Sequence, residues 1–301
     1  MSLETDLLID RRRLKRRLLF WKAIAAVAVV AMFVVLVNPN RPKAHIARLT
    51  VKGEITDTKR MIDAVNRMVA DDNAKALIVQ IASPGGGVYA SVALHDAIAR
   101  AASKKPVVAV MGSVAASGGF MIAMPAWRVF AGPSTLTGSI GVIAQLPEFS
   151  GLLDKVGVTA ETITSGKLKD QPNPAHRLSD DGRAYLNGLI GDMFDQFVDI
   201  VAKGRHMDEA KIREIADGRA FTGRQALKLG LVDQMGTETT AEGWLVAGKM
   251  ISSGLPIEDL RTTTRREDLF GETLLPILTL MLKTVLYQGV ALDGPKALWQ
   301  P

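Results

Sequence analysis

Cysteine is absent from all 301 residues. That excludes disulfides, a thiol nucleophile and thiolate-bound metal centres. Histidine is scarce, with only His45, His95, His176 and His206. No two of them have the spacing of metal ligands on a helix, and no HExxH occurs, so no metal site is expected. Aromatic residues make up 5% of the chain. No basic stretch interleaves with aromatics, which argues against a nucleic-acid partner. The net charge of +6 is unevenly placed. Residues 1–22 carry seven Lys and Arg against three acids, and the remainder is nearly neutral. No repeat of 20–50 residues and no low-complexity tract is visible.

One long apolar run is present. Residues 18–37 are apolar except for Lys22, and Asn-Pro-Asn-Arg-Pro at 38–42 ends them. Twenty helical residues span about 30 Å, the thickness of a bilayer core. The cluster Arg11–Arg17 lies just before the run, so the N-terminus is expected in the cytoplasm and the rest of the chain outside it. Lys22 sits one turn in, where it can reach the interface. A cleaved signal peptide is the alternative, but no small-x-small site follows the run. The chain therefore divides into a basic cytoplasmic segment (1–17), a transmembrane anchor (18–37), a linker (38–43), a body (44–250) and a C-terminal tail (251–301). The tail carries an interrupted apolar segment at 269–290, expected to lie on a membrane surface or a partner subunit.

In the body, short apolar runs alternate with amphipathic stretches. Strands are expected at 44–51, 74–82, 106–111, 127–131, 135–143, 159–165 and 231–233. Helices are expected at 59–70, 88–103, 151–156, 179–203, 208–217, 223–229 and 237–250. The stripe Leu186, Leu189, Ile190, Met193, Phe194, Phe197, Ile200 and Val201 reads as core packing. This alternation argues for parallel α/β layering.

One stretch carries chemistry. Gly-Ser-Val-Ala-Ala-Ser-Gly-Gly-Phe at 112–120 follows an apolar strand and precedes a helix start. Such a turn exposes the Ser117 hydroxyl beside unpaired backbone N–H groups, which suits a nucleophile next to an oxyanion hole. An ordinary N-cap serine fits the same residues. A serine nucleophile needs a base, and no histidine stands in a motif. Lysine can serve only when its amine is neutral; at its ordinary pKa roughly one in 2,500 is neutral at pH 7. Lys167 and Lys169 stand together in Ser-Gly-Lys-Leu-Lys-Asp at 165–170, and residue chemistry alone does not choose between them.

Five segments occur together in order. They are Ser83-Pro-Gly-Gly, Ala115-Ala-Ser-Gly-Gly-Phe, Thr137-Gly-Ser-Ile-Gly-Val, Ser165-Gly-Lys-Leu-Lys-Asp and Asp217-Gly-Arg-Ala-Phe-Thr-Gly-Arg-Gln-Ala. Over roughly residues 44–250 the chain resembles the signal peptide peptidase A family (peptidase family S49), in its short, single-repeat form. The resemblance implies an α/β fold of Clp/crotonase type with repeated β-β-α layers, and a membrane-bound Ser-Lys peptidase. It implies Ser117 as nucleophile, Lys169 as general base and Ser139 as the hydroxyl that orients the lysine. It also implies an oxyanion hole from the N–H groups of Gly86 and Gly118. Val88 and Met121 are expected near an apolar substrate pocket by position. Asp217-Gly-Arg and the helix after it look structural. Ala82 stands where the family often has Asn.

The expectation is a single-pass protein of the bacterial inner membrane that degrades cleaved signal peptides and other apolar peptides through an acyl-enzyme. No cofactor or metal is required. A homo-oligomeric ring, with nucleophile and lysine from neighbouring subunits, follows from the resemblance alone. A non-catalytic membrane scaffold and a crotonase-like acyl-CoA enzyme remain as rivals. A Ser-His-Asp arrangement is disfavoured because the segment around Val142 supplies no histidine.

Overall fold

The computed structural model describes residues 21–22, 43–248 and 250–262. Except for Trp21 and Lys22, the expected anchor at 18–37 lies outside the described residues, as does the amphipathic segment at 269–290. Among the described residues no helix is long and apolar enough to cross a membrane.

The body is one mixed sheet with helices on both faces. Its strands are β1 (His45–Lys52), β2 (Ala74–Ser83), β3 (Val107–Ala116), β4 (Arg128–Ala131), β5 (Leu136–Gly138), β6 (Ala220–Thr222), β7 (Gln234–Met235) and β8 (Ile257–Asp259). The main order is β6-β5-β3-β2-β1-β8, and β4 joins β3 to β7. Every pairing is parallel except β5 with β6.

The helices are α1 (Lys59–Ala70), α2 (Val88–Ala102), α3 (Gly118–Met121), α4 (Ser150–Lys155), α5 (Asp180–Arg205), α6 (Glu209–Ile215), α7 (Gly223–Lys228) and α8 (Glu238–Ala247). Strands buried on both faces read as near-continuous apolar runs, and alternate residues of β1, β2 and β3 feed two cores. Leu77, Val79, Ile81, Ala109 and Met111 join the main core with Val65, Leu94, Ile98, Phe197 and Val201. Ile46, Ile78, Val108 and Val110 meet Ala241 and Leu245 of α8 on the other face. Ser179 caps α5 by accepting the Gly182 N–H at 3.0 Å, and Thr222 with Gln225 forms a capping box on α7.

Five features depart from the sequence reading. The third strand does not stop at Met111 but continues to Ala116, with a register shift against β2 between Ile81 and Ser83. Its first half pairs with β4 and its last three residues with β5. Residues 159–165 form no strand: their β-branched content favours one, but among the described residues no strand pairs with them, and β-propensity needs a partner. Only Leu136–Gly138 of 135–143 is strand, because Gly138 and Ser139 turn the backbone to positive φ of 74° and 50°. The segment 231–233 is a run of bends, and the strand follows it as β7. The expected core stripe of α5 is buried only in its second half; Leu189 and Met193 stand 42% and 38% exposed. In addition, β8 pairs with β1 and Ile251 is buried, so the body continues about ten residues into the stretch set apart as a tail.

Candidate active site

The parallel strands β2, β3 and β5 bring their C-terminal ends to one edge of the sheet, the usual place for a site in such folds. Ser117 follows the last residue of β3. Its backbone is at φ 52°, ψ −123°, a sparsely populated conformation that costs of order 1–3 kcal/mol for a residue with a side chain. Three hydrogen bonds hold it there. The Ser117 N–H donates to Gly138 O at 2.8 Å, and its carbonyl accepts from Phe120 and Met121 at 2.9 Å each. Ala115 and Ala116 are buried, whereas Ser117 is only half-buried, so the sharp turn lifts the hydroxyl out of the core.

The loop between β2 and α2 lies against this elbow. Ser83 is fully buried, and its hydroxyl accepts the Gly85 N–H at 3.1 Å. Gly85 has φ +110°, and a Cβ on it would lie 2.8 Å from Ser117 Cβ and 2.9 Å from Gly118 N. No other residue fits that gap. Ile55 donates to Gly85 O at 2.8 Å and accepts from Gly87 N at 2.9 Å. In such a parallel bridge the Gly86 N–H faces away from Ile55. The Gly118 N–H is the first of α3 and lacks an intrahelical acceptor. Among the described residues neither N–H has an acceptor, so both are free to receive an oxyanion.

Ser139 follows β5 as Ser117 follows β3, and β5 pairs Gly138 with Ala116. Ser139 has φ 50°. Its hydroxyl donates to Gly218 O at 3.1 Å, and its N–H to Arg219 O at 3.0 Å. The fold thus brings Ser117, Ser139, Gly86 and Gly118 to one edge. Val88 stands half-buried at the first turn of α2, beside the Gly85–Gly87 loop. Met121 is 3% exposed and belongs to the main core.

Among the described residues Lys169 makes no hydrogen bond with Ser117. It is exposed in a turn whose backbone N–H donates to Gly166 O at 2.9 Å. Among the described residues its ammonium has no hydrogen bond or ion pair. Lys167 differs: its ammonium contacts Asp181 at 2.7 Å, and that hydrogen bond pushes its pKa up, away from the range a base needs. Both lysines lie on an arm, residues 141–178, whose contacts are largely its own. Phe149 N–H donates to Pro174 O at 2.7 Å and Asn173 to Asp170 at 2.7 Å. Ile143, Leu152, Val156 and Ile163 on it are 60–93% exposed.

Three of the four histidines lie on other parts of the fold. His45 begins β1 at the opposite edge, and His206 ends α5 in a left-handed cap. His95 contacts Asp96 at 2.9 Å on α2 and, with His206, Trp127 and Asp199, lines a cavity of about 640 Å³. That cavity contains no residue of the Ser117 elbow. The support from Ser91 escapes the sequence reading, in which the Asp217-Gly-Arg segment reads only as structural. Ser91 is fully buried in α2, donates to Gly87 O at 3.0 Å, and would be struck at 2.2 Å by a Cβ on Gly118. A serine on the apolar face of an Ala-rich helix is the signal for it. The Gly218–Arg219 carbonyls carry no such signal, because they act through backbone atoms.

Comparison with known proteins adds to this geometry. The family model described as Peptidase family S49 matches residues 99–252, and that for Clp protease matches residues 44–133. A Synechocystis protein named as a protease is 42% identical over 203 residues, 67% of this chain and 73% of that one. A protein of Enterococcus faecium named as signal peptide peptidase SppA is 35% identical over 233 residues, 73% of this chain and 68% of that one. Protease 4 of Haemophilus influenzae is 32% identical over 209 residues, but the match spans only 33% of that longer protein.

Proposed function

Because the chain belongs to peptidase family S49, we propose that it is a membrane-anchored serine endopeptidase of the bacterial inner membrane. Its substrates are cleaved signal peptides and other apolar peptides. The observation that carries this reading is the strained Ser117 elbow set against the free N–H groups of Gly86 and Gly118.

In this mechanism Ser117 Oγ attacks the scissile carbonyl while the Lys169 amine takes the hydroxyl proton. The N–H groups of Gly86 and Gly118 hold the oxyanion of the tetrahedral intermediate. Collapse breaks the C–N bond, and Lys169 returns the proton to the leaving amine. Water, deprotonated by the same amine, then hydrolyses the acyl ester and restores Ser117. Ser139 orients the lysine, and Val88 borders the approach of the substrate chain. Neither metal nor cofactor enters any step.

The base comes from a neighbouring copy in a homo-oligomeric ring. Two features support this: the exposed apolar side chains of the Lys169 arm, and the absence of a partner for its ammonium among the described residues. The test is cleavage of a fluorogenic apolar peptide by detergent-purified full-length protein, with oligomer mass read in parallel. Ser117→Ala and Lys169→Ala are each inactive, yet equal mixing of the two before assembly restores activity at about a quarter of the sites. A mixture as inactive as its parts places both groups in one chain. An active Ser117→Ala variant overturns the serine reading altogether.

A further inference from the structure

On the reading that Ser117 and Lys169 act together, we infer that the Asp217-Gly218-Arg219 loop is a positioning device for the base. It takes the one proton of the Ser139 hydroxyl, so that Ser139 meets the lysine amine only as an acceptor.

The argument begins with the donor inventory. A serine hydroxyl has one proton to give and two lone pairs to receive with. In this structure that proton is given to Gly218 O at 3.1 Å. Two backbone hydrogen bonds set the same geometry: Ser139 N–H to Arg219 O at 3.0 Å, and Gly218 N–H to Ile140 O at 3.1 Å. Ser139 and Gly218 both have positive φ, 50° and 86°. A Cβ on Gly141 would touch Gly218 Cα at 3.4 Å, so the backbone after Ser139 runs close beside the loop.

Asp217 holds the loop in shape. Its carboxylate accepts the Arg219 backbone N–H at 3.1 Å and the Arg219 Nε–H at 2.8 Å and 2.7 Å. The Arg219 side chain keeps the Asp217 carboxyl below the usual carboxylate range. On the other side, antiparallel pairing of β5 with β6 seats Ala220 opposite Gly138. Gly138 in turn accepts the Ser117 N–H. The loop, Ser139 and the Ser117 elbow therefore form one continuous hydrogen-bonded frame.

The chemical consequence concerns a lone pair. A neutral amine carries two N–H donors and one lone pair. Donating one N–H to Ser139 leaves the lone pair free for the Ser117 hydroxyl proton. A Ser139 hydroxyl free to rotate could instead donate to that lone pair and occupy it. The Gly218 carbonyl selects the productive arrangement by taking the competing proton first. Arg219 and Asp217 touch neither substrate nor reacting atoms, so their role is to position Ser139.

The test uses full-length protein in detergent, a fluorogenic apolar peptide, labelling of Ser117 by a fluorophosphonate, and a thermal melt. Asp217→Ala lowers kcat by about ten- to a hundredfold with KM within about twofold, as a displaced catalytic group does. On a Ser139→Ala background the same change has no further effect, and Asp217→Glu recovers most of kcat. Arg219→Gln removes only the side-chain half of the clamp. It gives a smaller drop with the same dependence on Ser139, and serves if Asp217→Ala does not fold. Multiplying effects of Asp217→Ala and Ser139→Ala, or a rise in KM alone, overturn the proposal. If Ser117→Ala still cleaves and labels, the underlying Ser-Lys reading fails. If Ser117→Ala and Lys169→Ala are inactive while the loop variants act independently of Ser139, only the loop proposal fails.

Discussion

Around Ser117 the chain is held by close backbone approaches. Gly85 lies against Ser117, Gly118 against Ser91, and Gly119 against Ser83, at separations that leave no space for a methyl group. Around Lys169, in residues 141–178, the described contacts are hydrogen bonds within the arm and an exposed ion pair to the first turn of α5. The first region needs nothing beyond the chain itself to fix an oxyanion hole. The second keeps several apolar side chains in solvent, and among the described residues its Lys169 ammonium has no partner. On the proposed ring, the first half is fixed within one chain and the second acquires its surroundings from a neighbouring copy.

The sharpest way to break this comparison is to delete the acting groups. Ser117→Ala and Lys169→Ala each lower kcat/KM for an apolar peptide at least about a thousandfold. Lys167→Ala changes it by no more than about twofold, since its partner Asp181 is exposed. A dead Lys167→Ala beside an active Lys169→Ala would move the base by two residues.

Substitution in the rigid half comes next. Gly118→Ala places a methyl 2.2 Å from Ser91 Oγ. It destabilises the fold by about 1–3 kcal/mol and cuts activity more than the lost stability explains. Denaturant melts and peptide turnover on the same preparation measure both. The reverse pattern is expected on the arm. Ile163→Asp, at a side chain 93% exposed, leaves chain stability within about 0.5 kcal/mol but lowers assembly and activity together. Mass by light scattering against turnover tests that pairing; full activity with normal assembly would remove the arm from the interface.

The last effect concerns stability alone, at a pair outside both halves. Arg205, 9% exposed, clamps Asp233 at 2.7 Å and 3.0 Å. Burial pushes the Asp233 carboxyl up, but Arg205 and the Val129 N–H outweigh it and hold the group below its ordinary value. A depressed folded-state pKa stabilises above the unfolded value and is lost as pH falls through the folded one. Asp233→Asn is therefore less stable than the parent by about 1–3 kcal/mol at pH 7. The gap closes below about pH 4, in urea midpoints taken at each pH.

Much of the body is legible in sequence because it obeys simple periodicities. The helix at 59–70 and the strands beginning near 45 and 74 follow from apolar spacing alone. The Ser117 turn shows itself as small residues after an apolar run. What escapes is set by distant partners. Residues 159–165 have the composition of a strand but, among the described residues, no strand to pair with. Leu189 and Met193 keep helical spacing, yet the main core stops before reaching them. The continuation of β3 past Gly112 depends on β5, more than twenty residues later. Lys169 could be chosen over Lys167 by resemblance, and the structure adds a physical contrast: one is tied to Asp181 and the other is not. The support given by Ser91 and Gly218 is a matter of close approach, which spacing along the chain does not encode.

The exchange of partners along β3, from β4 to β5, also determines where the chain tolerates length changes. Side chains on a strand alternate faces with a period of two. A residue inserted in the turns before β2 or β3 is absorbed at the edge remote from Ser117. One inserted between Met111 and Ser117 would send the hydroxyl to the opposite face and leave the Gly138 carbonyl without its N–H. The five residues 112–116 thus act as a ruler, and natural variation in chain length is expected in the turns at the remote edge rather than there.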